Sequence, residues 1–361
     1  MKFVTLSAGR DRSIALASDG AAYGWGGVKR LGAQLPPGYP GDLCTSSPTE
    51  IGHNRYAQPQ PQWLNPGLPF TALHDGHAHT LAVRAGGAVV ACRPVVSPEH
   101  GADRLGVSGV PASAIRVAQT EAAAFAVQAD GTVWSWGMAA YGQLGRVVAS
   151  RESGPQAIEG LGAVEHLAAG HAHVLALDRA GQVWAWGANA AGQLGNGGLK
   201  ESAVPVRVAL PARAVQVAAG DTHSFAVDAQ GRLWAWGSNQ YGQAGDGVAR
   251  YFARPVRVRT GFAVAQVDAG MFYTVALSRQ GDVFAWGWNG MGQLAQDSTA
   301  FSARPLRVHG LRGVLQLAAG TGHVLARTAT GLFAWGDNRS SACGAFPSVT
   351  VQARPHPIVF A

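Results

Sequence analysis

Ionisable side chains recur at one position of a repeated phrase, directly after a turn glycine or its equivalent. Imidazole and carboxylate groups can transfer protons or ligate a metal ion. If equivalent positions surround a common axis, the four such groups form a polar pocket and are candidate catalytic residues: His77, Glu121, His171 and Asp221. Seven exposed turn residues that are simply polar would give the same pattern, so both interpretations stay open. The whole series is Arg10, His77, Glu121, His171, Asp221, Met271 and Thr321.

A second set of candidates consists of large apolar side chains at variable positions, in or beside the phrase W-G-x-N-x-x-G or next to the turn glycine. Such side chains, displayed where a repeated scaffold does not need them, are typical of protein or peptide interfaces. Packing beneath the loops is the alternative explanation. Besides the four ionisable candidates, the predicted ligand-binding set contains Arg10, Arg12, Tyr141, Tyr241, Met271, Phe272 and Trp288.

The elements that must position these residues repeat with a fixed period. The turn glycine recurs every 50 residues, at Gly170, Gly220, Gly270 and Gly320. A W-G pair follows the same spacing, at Trp136, Trp186, Trp236, Trp286 and Trp335. Weaker copies begin at Gly9 and Gly76, which makes seven repeats. A period of this length indicates a solenoid, a propeller or another array.

Each copy contains four short runs of strand type, which in the fifth copy are 205–208, 214–217, 224–227 and 232–236. Gly or Pro interrupts every helical candidate. We therefore predict an all-β protein, a seven-bladed β-propeller of four-stranded antiparallel blades, with residues 1–361 as a single domain. Adjacent N and C termini are expected to close the ring, whichever unit the last strand pairs with.

Other conspicuous residues are assigned to the scaffold. Tryptophans two apart on a strand, such as Trp184 and Trp186, point to one face and are expected to fill the space between blades. Three residues after the turn glycine, a histidine or its substitute favours a turn-fixing hydrogen bond over catalysis. The residues in this register are His79, His173, His223, Tyr273 and His323.

Strand parity places the variable positions together. If the strands of a unit alternate in direction, the G-x-x-H turn and the W-G-x-N loop emerge on the same face, where binding residues can vary. Two irregular segments are expected on this face as well. We predict a loop insertion at 33–63 after blade 1 and an irregular loop at 93–109 in blade 2, which contains Glu99, His100, Asp103 and Arg104.

The phrase at 214–247, AVQVAAGDTHSFAVDAQGRLWAWGSNQYGQAGDG, resembles the repeat of the regulator of chromosome condensation family. Its specific element, W-G-x-N-x-x-G-Q-L-G, stands complete at 186–195. Repeats three to seven match well and the first two match partly. The resemblance implies a seven-bladed propeller and leaves function open. Similar proteins include an exchange factor for a small nuclear GTPase, bacterial effectors acting on host GTPases, a secreted β-lactamase inhibitor, and chromatin or ubiquitin-pathway adaptors.

Composition restricts the partners. Hydrophobic residues make up 47% of the chain and charged residues 14%, enough apolar material for a folded core. No apolar stretch approaches the ~18 residues that cross a bilayer, so we expect no membrane partner. Cys44, Cys92 and Cys343 lack C-x-x-C spacing, so we predict no disulfide framework, no metal and no cofactor. A cytoplasmic location is the default expectation, although a secreted chain without its signal peptide would have the same sequence.

Three functions stay open. The first is a monomeric module that binds a protein or peptide through the face described above. The second is a hydrolase of peptide or isopeptide bonds built on the four ionisable candidates. The third, guanine-nucleotide exchange on a small GTPase, rests on the resemblance alone. Nucleic-acid binding is not expected: the net charge of +7 permits phosphate contacts, but no basic helix or stacking platform is visible.

Overall fold

The computed structural model describes residues 2–29, 49–52, 55–64, 69–76, 80–92, 107–245, 247, 249–297 and 300–360. Within these ranges every regular element is a β-strand, and no helix there is long and apolar enough to cross a membrane. The strands form seven antiparallel sheets that follow one another along the chain, and the first strand of each sheet lines a central cavity. The prediction of a seven-bladed β-propeller is confirmed.

Blades 1 to 3 are the less regular ones. Blade 1 is a five-stranded sheet in the order β1-β2-β3-β5-β4. Its strands are β1 (Phe3–Ala8), β2 (Arg12–Ala17), β3 (Ala22–Lys29), β4 (Thr49–Gly52) and β5 (Arg55–Trp63). Blade 2 has three described strands: β6 (Phe70–Asp75), β7 (Thr80–Arg84) and β8 (Val89–Cys92). Blade 3 comprises β9 (Ala114–Gln119), β10 (Ala123–Gln128), β11 (Val133–Met138) and β12 (Glu152–Ala157).

Blades 4 to 7 each have four strands, paired in chain order. Blade 4 comprises β13 (Val164–Ala169), β14 (His173–Asp178), β15 (Val183–Gly187) and β16 (Ser202–Arg207). Blade 5 comprises β17 (Ala214–Ala219), β18 (His223–Asp228), β19 (Leu233–Ser238) and β20 (Tyr251–Val258). Blade 6 comprises β21 (Val264–Ala269), β22 (Tyr273–Ser278), β23 (Val283–Trp288) and β24 (Phe301–Arg307). Blade 7 comprises β25 (Gln316–Ala319), β26 (His323–Arg327), β27 (Leu332–Asp337) and β28 (Val351–Pro357).

Part of the segment predicted as a loop insertion is sheet. Within 33–63, residues 49–52 and 55–63 form β4 and β5, and β5 pairs with β3 as the fourth strand of blade 1. Pro59 and Pro61 obscured this strand in the sequence, since proline cannot donate a ladder hydrogen bond. Residues 30–48, like residues 93–106 of the irregular loop of blade 2, lie outside the described part of the chain.

A repeated hydrogen-bond arrangement, which we call the interblade latch, joins neighbouring blades. Between blades 4 and 5, the main-chain carbonyl of Gln193 accepts hydrogen bonds from Trp236 Nε1 and Ser224 Oγ, both at 2.8 Å. His173 Nε2 lies 2.9 Å from the same Ser224 Oγ. Because the hydroxyl proton goes to the carbonyl, the neutral imidazole must donate from Nε2.

The latch recurs elsewhere in the ring, with a longer contact of 3.4 Å between His223 Nε2 and Thr274 Oγ1. Between blades 5 and 6 it consists of the Gln243 carbonyl, Trp286, Thr274 and His223. Between blades 7 and 1 it consists of the Ala342 carbonyl, Trp25, Ser13 and His323. Blades 3 and 6 lack the histidine, and the blades that follow them lack the hydroxyl: Ala123 is followed by Val174, and Tyr273 by Val324.

The histidines therefore bond the next blade, and Tyr273, in the same register, donates its hydroxyl to the carbonyls of Gly320 and His323 in the next blade's turn. The turn glycine has a different role, since it makes room for the ring: a Cβ at Gly170 would lie 2.6 Å from His173 Nδ1. Sequence alone could not distinguish a hydrogen bond that fixes a turn from one to a side chain of the next blade, because the hydroxyl partner stands about one repeat further along the chain. His79 lies outside the described residues.

Blades 1 and 7 close the ring without sharing a strand. Phe333 of β27 lies opposite Pro357 of β28, so the last strand belongs to the C-terminal unit. Beyond it, the ring of Phe360 packs on that of Phe3 with centroids 4.8 Å apart, and it meets Tyr23 edge-on at 5.7 Å. These contacts and the latch at Ser13 seal the seam, so the expected closure by adjacent termini is confirmed.

Replacing Phe360 with alanine should lower the free energy of unfolding by about 2 kcal/mol, because the seam loses a half-buried ring and its aromatic contacts. Val359→Ala is the matched control, since Val359 is 72% exposed and should cost less than about 0.5 kcal/mol. Urea unfolding of the two variants checks this expectation. Equal losses would contradict the assigned role of Phe360.

Acid should weaken the latch. Burial lowers the pKa of His173 to about 3 and the pKa values of His223 and His323 to about 4, whereas a histidine in the unfolded chain titrates near 6.5. Between these values only the unfolded state takes up the proton, so each histidine lowers stability as the pH falls from about 6.5 to about 4. At pH ~5 the loss is about 2 kcal/mol per histidine.

Urea unfolding at several pH values tests this expectation, with His223→Gln as the comparison. Asp268, whose pKa is raised by burial to about 6, acts in the opposite direction in both proteins and cancels in the difference. The variant should depend less steeply on pH, by up to one bound proton. An unchanged slope would show that His223 is protonated in the folded protein.

Candidate functional site

From blade 3 round to blade 1, the turns that carry the described candidates are linked by hydrogen bonds at one mouth of the central cavity. The amide of His171 donates to the carbonyl of Asp221 at 3.2 Å, and the amide of Glu121 donates to the carbonyl of His171 at 3.0 Å. Beyond Asp221, the amide of Met271 donates to Thr321, and Thr321 donates to Gly9 beside Arg10. The position after the turn glycine thus surrounds a common axis in the described blades.

Two of the four catalytic candidates, Glu121 and His171, meet through their side chains. His171 Nε2 lies 2.9 Å from Glu121 Oε2, and both side chains are nearly half exposed. Such a solvent-exposed pair contributes little to stability. Asp221 meets His171 through the main chain, and His77 lies outside the described residues. Among the described residues, no group of three or more His, Cys, Asp or Glu could hold a metal ion.

Arg12 does not lie on the open face but inside the seam between blades 1 and 2. Its Nη2 lies 2.6 Å from Asp75 Oδ1, and the two side chains are 6% and 0% exposed. Thr80 Oγ1 donates to the same carboxylate oxygen at 2.6 Å. Arg12 stands three residues after Gly9, in the register of the latch histidines, and it likewise bonds the following blade. Its position fits a scaffold residue, whereas Arg10 is exposed.

The central cavity has a volume of about 430 Å³ and is lined by the innermost strands. The side-chain amide of Gln216 bonds both the amide and the carbonyl of Val267 on the next blade, and Gln266 bonds Leu317 in the same way. These amides cap strand edges that would otherwise face the cavity unpaired.

Asp268 is a cavity-lining carboxyl that the sequence analysis did not single out. Burial raises its pKa to about 6, although the amides of Ala269 and Ala319 both donate to it at 2.9 Å. It occupies a position where Ala168 and Ala218 stand in blades 4 and 5, and this departure from the repeat was the available signal.

Three of the apolar candidates meet on the same face. Tyr241, Phe272 and Trp288, which we call the aromatic cluster, come from the loop of blade 5, the turn of blade 6 and the end of β23. The ring centroids of Tyr241 and Phe272 are 5.2 Å apart, and Trp288 lies 6.4 Å from Tyr241 and 6.3 Å from Phe272. All three side chains are partly exposed.

The other apolar candidates stand apart from these ring contacts. Met271 adjoins Phe272 in the turn of blade 6 and is partly buried. Tyr141 is 51% exposed on the loop of blade 3. The Trp288 indole lies over Gly290, where a Cβ would come within 2.0 Å of it, so a larger residue there would displace the indole.

Comparison with known proteins identifies one family and several similar folds. A family model described as RCC1-like domain matches residues 52–360. No curated protein matches the chain significantly.

The solved structures share the fold. Human WBSCR16 is 22% identical with a TM-score of 0.76, over 94% of this chain and 95% of that one. Prp20p from Saccharomyces cerevisiae is 20% identical with a TM-score of 0.70, over 88% and 80%. The ectodomain of the Arabidopsis thaliana receptor kinase ACR4 is 14% identical with a TM-score of 0.53, over 99% of both chains. At these identities the likeness is one of fold.

Replacing Arg12 with alanine should lower the free energy of unfolding by about 3 kcal/mol, because it leaves the Asp75 carboxylate buried without its cation. Arg10→Ala removes the same charge from an exposed position and should change stability by no more than about 0.5 kcal/mol. Thermal or urea unfolding of both variants provides the measurement. Comparable stabilities of the two would show that Arg12 is not a seam residue.

Proposed function

The chain belongs to the family of RCC1-like domains, and on that premise we propose that it binds a protein or peptide through the face that carries the G-x-x-H turns and the W-G-x-N-x-x-G loops. The observation that carries this proposal is the aromatic cluster. Partly exposed aromatic rings that contact one another form the kind of anchor on which most interface energy depends.

Comparison with blade 4 supports a role beyond folding. The amide of Trp288 donates to the carbonyl of Phe272 at 2.9 Å, and at the equivalent place the amide of Ala188 donates to the carbonyl of Ala172 at 2.9 Å. The same backbone therefore forms with alanine at both positions. The two aromatic side chains add apolar surface that this part of the scaffold does not require.

The surroundings of the cluster suit an interface. Asp221, at the mouth of the cavity, precedes blade 6 in the ring, and its amide donates to Gly270 beside Met271 at 3.3 Å. An apolar centre next to ionisable groups matches the usual arrangement of a hydrophobic core and a polar rim. A protein partner also agrees with the yeast structure of similar fold, whose description names binding of Prp20p to Gsp1p and histones. Neither partner is carried over at 20% identity.

The double variant Phe272→Ala/Trp288→Ala should lose at least tenfold in affinity while remaining folded, since blade 4 already has alanine at both positions. Peptides selected from a random displayed library against the wild-type protein serve as ligands, and calorimetry gives the dissociation constants. Leu199→Ala, which trims another exposed apolar side chain on the loop of blade 4, is the control. Peptides that bind the double variant as tightly as the wild type would refute the proposed site.

A further inference from the structure

The outer strands of blades 5 and 6 expose an unusual combination of side chains. On β20, Tyr251, Arg254 and Arg257 are exposed at every third residue, and Phe301, Arg304 and Arg307 follow the same spacing on β24. Tyr251 is 46% exposed and Phe301 59%. Arginine alone would be explained by protection of an outer strand against edge pairing. An exposed aromatic ring does not serve that purpose.

The neighbouring blades lack this combination. At the equivalent positions blade 4 has Glu201, Val204 and Arg207, and blade 7 has Val351, Arg354 and Pro357. Arg354 is also paired with Asp297, at 2.5 Å between Nη2 and Oδ2. Among blades 4 to 7, an aromatic residue followed by two arginines occurs on blades 5 and 6 alone, so it is not a general property of the repeat.

The two strands belong to neighbouring blades, and the loop before β20 contacts β24. Gly242, in the loop that leads to β20, packs against β24 so closely that a Cβ there would lie 2.5 Å from Ala303 Cα. Further exposed arginines flank the strands, at Arg250, Arg259 and Arg312. Arg307 is ion-paired with Asp282, whereas Arg254, Arg257 and Arg304 form no ion pair with any residue in the described part of the chain. The surface is therefore basic and carries two exposed rings.

We propose that this outer surface, formed by Tyr251, Arg254, Arg257, Phe301 and Arg304, binds single-stranded nucleic acid. Guanidinium groups contact phosphate oxygens with good geometry, and exposed aromatic rings stack on unpaired bases regardless of their sequence. A duplex offers the phosphates but keeps its bases stacked inside. The combination of arginine and aromatic side chains accordingly favours a single strand over other polyanions.

The residues chosen to test this site do not belong to the proposed protein-binding face. Phe301 lies directly opposite Trp288 in the pairing of β24 with β23, so neither residue distinguishes the two surfaces. Tyr251 lies opposite Ser238, and Arg254 and Arg304 lie further along the outer strands. Variants at these three positions leave the aromatic cluster unchanged.

Fluorescence anisotropy with labelled oligo-dT and oligo-U of about 20 nucleotides tests the proposal on the full chain. Three arginine–phosphate contacts predict that the logarithm of the association constant falls with the logarithm of salt concentration with a slope of about −2. Arg254→Gln/Arg304→Gln should reduce that slope by about 1.4. Tyr251→Ala should weaken binding about tenfold with little change in the slope.

Arg151→Gln/Arg213→Gln is the matched control, because it removes two exposed positive charges from blade 3 and from the linker before β17. It should bind the oligonucleotides like the wild type. Four results would overturn the proposal: no binding at about 50 mM salt, an equal loss in the control, no effect of Tyr251→Ala, or binding of a duplex or heparin as tight as that of the single strand. The library-selected peptides should bind all these variants unchanged, which keeps this test independent of the proposed function.

Discussion

The ring depends on main-chain carbonyls that accept an indole proton from the next blade and, at three of the described seams, a hydroxyl proton as well. The main-chain carbonyl of Gln193 must have a fixed position relative to the next blade, and hydrogen bonds within its own loop fix that position. The side-chain oxygen of Asn189 accepts the amide of Leu194 at 2.9 Å, and its amide donates to Lys200 at 2.9 Å. The side-chain oxygen of Gln193 accepts the amide of Ala191 at 2.9 Å. The repeated W-G-x-N-x-x-G-Q phrase therefore encodes the loop whose carbonyl joins two blades.

This constraint separates the loop positions that support the fold from the positions whose side chains can vary. The Asn and Gln side chains and the glycines of the phrase satisfy the loop backbone internally, so the intervening positions carry no structural duty. Ala188 and Trp288 occupy the same place in blades 4 and 6 with the same backbone hydrogen bond. A surface of this kind can acquire a binding site by substitution without altering the fold, which is why one scaffold serves unrelated partners.

The fold was predictable because the seam residues and the strand period repeat together every 50 residues. The role of Arg12 was also readable in principle, since it stands three residues after Gly9, where other blades place a histidine that faces the next blade. Its partner Asp75 is conspicuous too, because blades 4 to 7 have alanine in that register. Strand β5 was obscured by its prolines. The contacts of Tyr241, Phe272 and Trp288 could not be derived, because they depend on the angle between two blades. The same holds for Glu121 and His171: the sequence placed them on one ring, but only the structure shows which neighbours touch.

Blades 7 and 1 share no strand, and this allows circular permutation of the chain. The strands of each described blade follow one another along the chain, and the rings of Phe3 and Phe360 pack across the joint between blades 7 and 1. Linking the segment at Phe360 to the segment at Phe3 and opening the chain between two other blades should rebuild the same disc, with each blade beside the same neighbours.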